Sequence, residues 1–228
     1  MTPVRRRVAA GRPWEATVPA VSSKARYLFV QYVTVVRVPL AAVAAVLLHV
    51  AHPGSAAATA VVGLLILSEL TDILDGLLAR RLNVSSRFGS LFDPYCDSTS
   101  RLIIFFGLAS AEICPLWLLL LLALRDISVA YIRIMCILSG KPVAARLSGK
   151  TKAWVQGLGA ILLAAIFAWT DLEPGMMRLT NFDVPAVGWA LKAIILMIAG
   201  VTLWSLLDYF AAARSSPSPT GGATPPAA

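Results

Sequence analysis

Long apolar runs separated by short polar breaks fill most of this chain, and their lengths predict helices that cross a membrane. Six runs lie at about residues 27–50, 56–80, 95–112, 115–138, 152–170 and 185–210. Several approach or exceed the roughly 20 residues that carry a helix through a bilayer. The expected fold is all-α: a polytopic membrane protein with six transmembrane helices plus an N-terminal juxtamembrane segment. Residues 1–26 form that segment, in which Trp14 and scattered Arg and Lys suit an amphipathic stretch lying on the membrane. The same residues are basic and broken by Pro and Gly, unlike a cleavable signal peptide. Residues 27–212 make the membrane domain. Residues 213–228, rich in Ser, Pro, Thr, Gly and Ala, cannot bury a core and read as a disordered cytoplasmic tail.

Composition agrees with that pattern. Of 228 residues, 58% are hydrophobic and only 14% charged, where a soluble domain carries about 25% charged. The net charge of +8 comes with no nucleic-acid motif. An anionic membrane surface or a phosphate-bearing substrate accounts for it better. Cys96, Cys114 and Cys136 are isolated, show neither metal-ligand nor disulfide spacing, and read as apolar packing residues.

Charge placement gives an orientation. Arg5, Arg6, Arg7, Arg12, Lys24 and Arg26 precede the first helix. Arg80, Arg81 and Arg87 fall in the second connection. Lys141, Arg146, Lys150 and Lys152 fall in the fourth, and Arg214 follows the last helix. The first connection, near His52 and Pro53, has neither Lys nor Arg; the third has only Glu112; the fifth is mainly acidic. Both termini and the second connection therefore face the cytoplasm, as in a multi-pass protein of a bacterial cell membrane. His49 and His52 have no neighbours that suggest catalysis.

That second connection is flanked by the chain's main chemical signal. Asp72 and Asp75 are three apart and share one helix face; Asp93 and Asp97 are four apart and share a face of the next helix. The turn formers Asn83, Ser85, Ser86 and Gly89 lie between them. Folding these helix ends onto each other brings four carboxylates together. Such like charges repel at low dielectric, and two divalent ions, Mg2+ or Mn2+, would neutralise them. Gly76 leaves room for a ligand beside the backbone, Ala79 keeps the face open, Arg80 suits a phosphate, and Gly89 lets the helices come close. Together these features suggest a nucleotide diphosphate. The plainer alternative pairs the acids with Arg80, Arg81, Arg87 or Arg101, which explains one or two of them but not four at this spacing.

The stretch as a whole, Asp-x2-Asp-Gly-x2-Ala-Arg-x8-Gly-x3-Asp-x3-Asp over residues 72–97, resembles the signature of the CDP-alcohol phosphotransferase family, with weaker similarity over residues 27–160. The resemblance implies an integral membrane enzyme of six helices, a homodimer, that displaces CMP from a CDP-linked donor by an alcohol hydroxyl. It implies metal ligation by Asp72, Asp75 and Asp93, with Asp97 as general base and further metal contact. It assigns Asp72, Gly76, Ala79 and Arg80 to the cytidine diphosphate, and Gly89 to helix packing at the site. CDP-diacylglycerol is the implied donor, and membrane lipids surround the helices.

Within the family the chain is most similar to phosphatidylglycerophosphate synthases. The resemblance rests on Thr34 and Arg37 of the first helix, Arg125-Asp126, Arg133, and Gly149-Lys150-x-Lys152. The implied acceptor is glycerol 3-phosphate, an anion that cations must hold. Thr34, Arg37, Arg133, Arg146, Lys150 and Lys152 are the candidates, and Arg133, inside a helix, needs a partner such as Asp126. Two positions depart from that pattern: Gln31 stands for Asn and Ser98 for Lys. They leave inositol, inositol phosphate or another polyol open as acceptor. Glu69, one turn before Asp72, is either a group behind the site or a paired helix residue. A divalent-cation transporter is the competing class, but its ligands belong nearer mid-membrane. An inert scaffold would not require four aspartates.

Overall fold

Helices account for all regular structure among the described residues of the computed structural model: α1 (Val21–Val50), α2 (Ala56–Leu82), α3 (Arg87–Ser110), α4 (Leu116–Leu138), α5 (Leu147–Trp169) and α6 (Ala186–Ser215). The structure describes residues 21–82, 87–138, 147–170 and 186–215; within them the side chains of 21–31, 33, 34, 72–91, 137, 138 and 215 lie outside the description. Residues 1–20, Arg146 and most of the predicted tail fall outside it as well.

Each apolar run corresponds to one helix, but every helix except α4 extends beyond its run at one end or both. Residues 21–26 are helical and continuous with α1, and residues 213–215 continue α6. The largest difference is at α3, which begins eight residues before the predicted 95. Pro94 lies inside it and does not start it. The ring removes one backbone donor, a local loss that a long packed helix survives. As a result Gly89, Asp93 and Asp97 share one continuous rod. Similarly α5 starts at Leu147, so Lys150 and Lys152 are helical residues.

Two helical spans, Leu147–Trp169 and Ala186–Arg214, are long and apolar enough to cross a membrane; Val35–Val50 and Ala56–Thr71 are shorter apolar stretches. The expectation of six such spans is met in helix number but not in hydropathy among the described residues. The charged residues Arg37, Asp93, Asp97, Arg101, Arg125, Asp126 and Arg133 interrupt the other helices.

Local chemistry sets the turns away from the acidic motif. Ser55 N–H donates to the His52 carbonyl at 3.1 Å, and Gly54 has φ of 72°. With Pro53 before it this is a type II turn, whose third residue needs positive φ. Ser55 Oγ then accepts from Ala58 N–H at 3.2 Å and caps α2. At the end of α3, Ile113 N–H reaches the Leu108 carbonyl at 2.8 Å and Glu112 N–H the Ala109 carbonyl at 3.1 Å. That pair of bonds is a Schellman motif, here with Glu112 at φ 56° in the place that glycine usually takes. Leu108 and Ile113 are fully buried beside it. Next in the loop, Cys114 is buried, and burial pushes its thiol up to about 12. Cys96 and Cys136 are buried too, as packing residues should be.

The core runs through all six helices, from Ala41, Ala44 and Leu48 on α1 to Leu191, Ile195 and Ile198 on α6. Among the described residues α2 and α3 do not pack as a direct pair; each packs against α1 and against α5. The close approach expected at Gly89 lies outside the described side chains. A close helix approach is seen at Gly107, where a Cβ would stand 2.7 Å from Ala45 Cα and 2.9 Å from Ala45 Cβ. Backbone cannot yield as a flexible side chain can. Gly107→Ala is therefore expected to destabilise the protein by about 1–3 kcal/mol through overpacking. Thermal unfolding in detergent checks this, with Gly63→Ala, where nothing lies within 4 Å, as the nearly silent control.

Candidate active site

The last aspartate of the motif stands where three helices meet. Asp97 and Arg101 are four apart on α3, the spacing at which helical side chains face each other. Arg101 Nη2 lies 3.1 Å from Asp97 Oδ1, and Arg37 Nη1 of α1 lies 3.1 Å from the same oxygen. Arg101 also donates to the Ala153 carbonyl of α5 at 2.8 Å. Arg37 and Arg101 are 5% and 6% exposed, whereas the Asp97 side chain is 35% exposed. The arginines are thus buried props and the carboxylate remains accessible. Arg37, predicted to bind the acceptor, is found on Asp97, and Arg101, considered only as a salt-bridge partner for the acids, does pair with one.

Asp93 is exposed one turn before Asp97 on α3. Asp72, Asp75, Gly76, Ala79 and Arg80 lie on α2 and Gly89 on α3, but their side chains are outside the described residues, as is that of Thr34. Among the described residues no group of three or more metal-ligating side chains forms a site; two of the four acids are not among them. The donor set still suits Mg2+ or Mn2+, because it offers hard carboxylate oxygens from two successive turns of α3, both accessible.

A small cavity lies behind this region between α2, α3 and α5. Glu69, Arg101, Gln156 and Gly157 give it a polar side, and Leu65 and Phe105 an apolar one. Gly157 makes the room: a Cβ there would meet the Glu69 carboxylate at 2.5–2.7 Å. Glu69 therefore points toward α5 and the same cavity as Arg101.

A second polar layer joins α4, α5 and α6. Asp126 accepts from Arg125 at 2.9 Å and from Lys152 of α5. Arg125 donates to Ser205 of α6 at 2.6 Å. Arg133 donates to the Tyr209 hydroxyl at 2.8 Å, and the guanidinium carbons of Arg125 and Arg133 each lie 5.4 Å from the centre of that ring. The partner of Arg133 is thus Tyr209 of α6 and not Asp126, which lies two turns earlier on α4 and holds Arg125 and Lys152. Lys152 is buried in this pair, while Lys150 is exposed. Sequence reasoning missed Ser205, Tyr209 and the buried Gln156–Thr202 bond of 2.9 Å. Their only signal was polar residues recurring on the otherwise apolar α5 and α6.

The chain belongs to the CDP-alcohol phosphatidyltransferase family: the model of that family matches residues 28–215. Among similar proteins, a CDP-diacylglycerol–glycerol-3-phosphate 3-phosphatidyltransferase of Bacillus subtilis is 34% identical over 105 residues, 44% of this chain and 53% of the relative. One of the same name from Shigella flexneri is 33% identical over 153 residues, 65% and 75% of the respective chains. A probable phosphatidylglycerophosphate synthase of Mycobacterium tuberculosis is 34% identical over 89 residues, 39% and 42% of the two chains. The chain spans about half the length of the first of these relatives.

Proposed function

We propose that the chain is a multi-pass membrane phosphatidyltransferase that transfers the phosphatidyl group of CDP-diacylglycerol to glycerol 3-phosphate, giving phosphatidylglycerophosphate and CMP. The observation that carries this reading is Asp97: the last acid of the signature is held on one oxygen by two buried arginines and stays open to solvent. Family membership and the names of the relatives support this choice of donor and acceptor. All six helices span the bilayer in this reading, with the motif and both termini at the cytoplasmic side, and two copies form a dimer.

Asp72, Asp75, Asp93 and Asp97 would hold two divalent ions, which polarise the diphosphate and offset charge on the departing CMP. Gly76, Ala79 and Arg80 contact the cytidine diphosphate. Asp97 takes the proton of the acceptor hydroxyl as that oxygen bonds to phosphorus and the bond from phosphorus to the CMP oxygen breaks. Direct transfer is favoured because the sequence carries no Ser, His or Cys nucleophile constellation. Arg133, set by Tyr209, and the exposed Lys150 offer cations to the acceptor phosphate, with Thr34 and Arg146 as further candidates. Lys152, paired with Asp126, supports that site from behind.

Purified protein, radiolabelled CDP-diacylglycerol and a panel of acceptors test the reading. CMP release is expected only with Mg2+ or Mn2+, to vanish with a chelator, and to be fastest with glycerol 3-phosphate. Faster turnover with inositol or inositol phosphate would reassign the acceptor. No CMP release with any acceptor would overturn the enzymatic reading.

A further inference from the structure

Arg37 comes from α1 and Arg101 from α3, yet both end on Oδ1 of Asp97 at 3.1 Å. Neither arginine is part of the aspartate signature. Both are nearly inaccessible, which limits direct contact with a substrate, while the carboxylate they hold is not. A carboxylate rotates easily about its last bond, and one hydrogen bond leaves that rotation loose. Two guanidiniums approaching from different helices fix it. Arg101 is itself anchored by the Ala153 carbonyl of α5, so the orientation of this one side chain is referred to three helices.

We propose that Arg37 and Arg101 are positioning residues that clamp Oδ1 of Asp97 and thereby present Oδ2 to the acceptor hydroxyl. This rests on the proton-accepting role given to Asp97 above. Holding a reacting group in a fixed geometry is a large part of catalytic power, and a misplacement of about 1 Å can slow turnover about 100-fold. The clamp reassigns Arg37: its guanidinium acts on the chemical step through Asp97 and does not hold the acceptor phosphate.

The test is a kinetic double-mutant cycle. Arg37→Gln, Arg101→Gln and Arg101→Lys are made in the wild-type and Asp97→Asn backgrounds. Steady-state constants for both substrates and the melting temperature are read for each. The Gln variants are expected to lose about 10- to 100-fold in kcat with KM for both substrates nearly unchanged. Arg101→Lys restores part of the loss. In the Asp97→Asn background the same changes alter the residual kcat by less than about twofold, because residues that act through one another are not additive. Losses that multiply in that background would reduce the arginines to general structural supports. A rise in KM for the acceptor at constant kcat would return Arg37 to acceptor binding. Melting temperatures read the clamp even without turnover: shifts for Asp97→Ala, which removes the accepting oxygen, and Arg101→Gln should be non-additive, and additive shifts would overturn it. An inactive wild type with non-additive shifts would instead count against the phosphatidyltransferase reading alone.

Discussion

Asp97→Asn is expected to lower CMP release from CDP-diacylglycerol by about 10²- to 10⁴-fold, the range for removal of a positioned general base. The substitution is nearly isosteric. Its amide oxygen can still accept from Arg37 and Arg101, which lie on Oδ1 in the wild type, so the three-helix junction persists. What disappears is an oxygen able to take a proton. Substrate affinity for the lipid donor should change far less than turnover, and size-exclusion and thermal unfolding should show a folded protein. A variant that turns over at the wild-type rate would remove Asp97 from the chemistry and with it the role given to its clamp.

Asp126→Ala is expected to have the largest effect on stability, about 3–5 kcal/mol, because deleting one member of a buried charge set leaves the others uncompensated. The Asp126 side chain is 7% exposed, and those of Arg125 and Lys152 are 8% and 6% exposed. Ser205 remains as a partner for Arg125, but Lys152 loses the carboxylate that faces it. Thermal unfolding in detergent measures the loss. Adding Lys152→Met to Asp126→Ala should recover part of it, since the second change removes one stranded charge. A double variant no more stable than Asp126→Ala alone would show that the two charges are not coupled.

Helix number and approximate position were legible because apolar length is a strong signal in a chain that is 58% hydrophobic. The ends were not, since α3 continues through Pro94 and α5 begins before Lys150, and hydropathy registers neither. The acids were legible from spacing alone. The arginines that hold Asp97 were not: 60 residues separate Arg37 from it, and the sequence carries nothing to tell a cation bound to substrate from one bound to protein. The same limit misdirected Arg133, whose partner Tyr209 is 76 residues away. Glu69 became interpretable only once Gly157, on another helix, proved to make its room.

The layer joining α4 to α5 and α6 bears on how the chain enters a bilayer. Arg125, Asp126 and Arg133 all sit on α4, and each charged group near the centre of a lone helix opposes insertion by about 2.5–3.5 kcal/mol. Their partners Lys152, Ser205 and Tyr209 are synthesised later. In the proposed six-span topology α4 would have no stable place in lipid until the C-terminal pair emerges, and the last three helices would leave the insertion machinery as one cooperative unit.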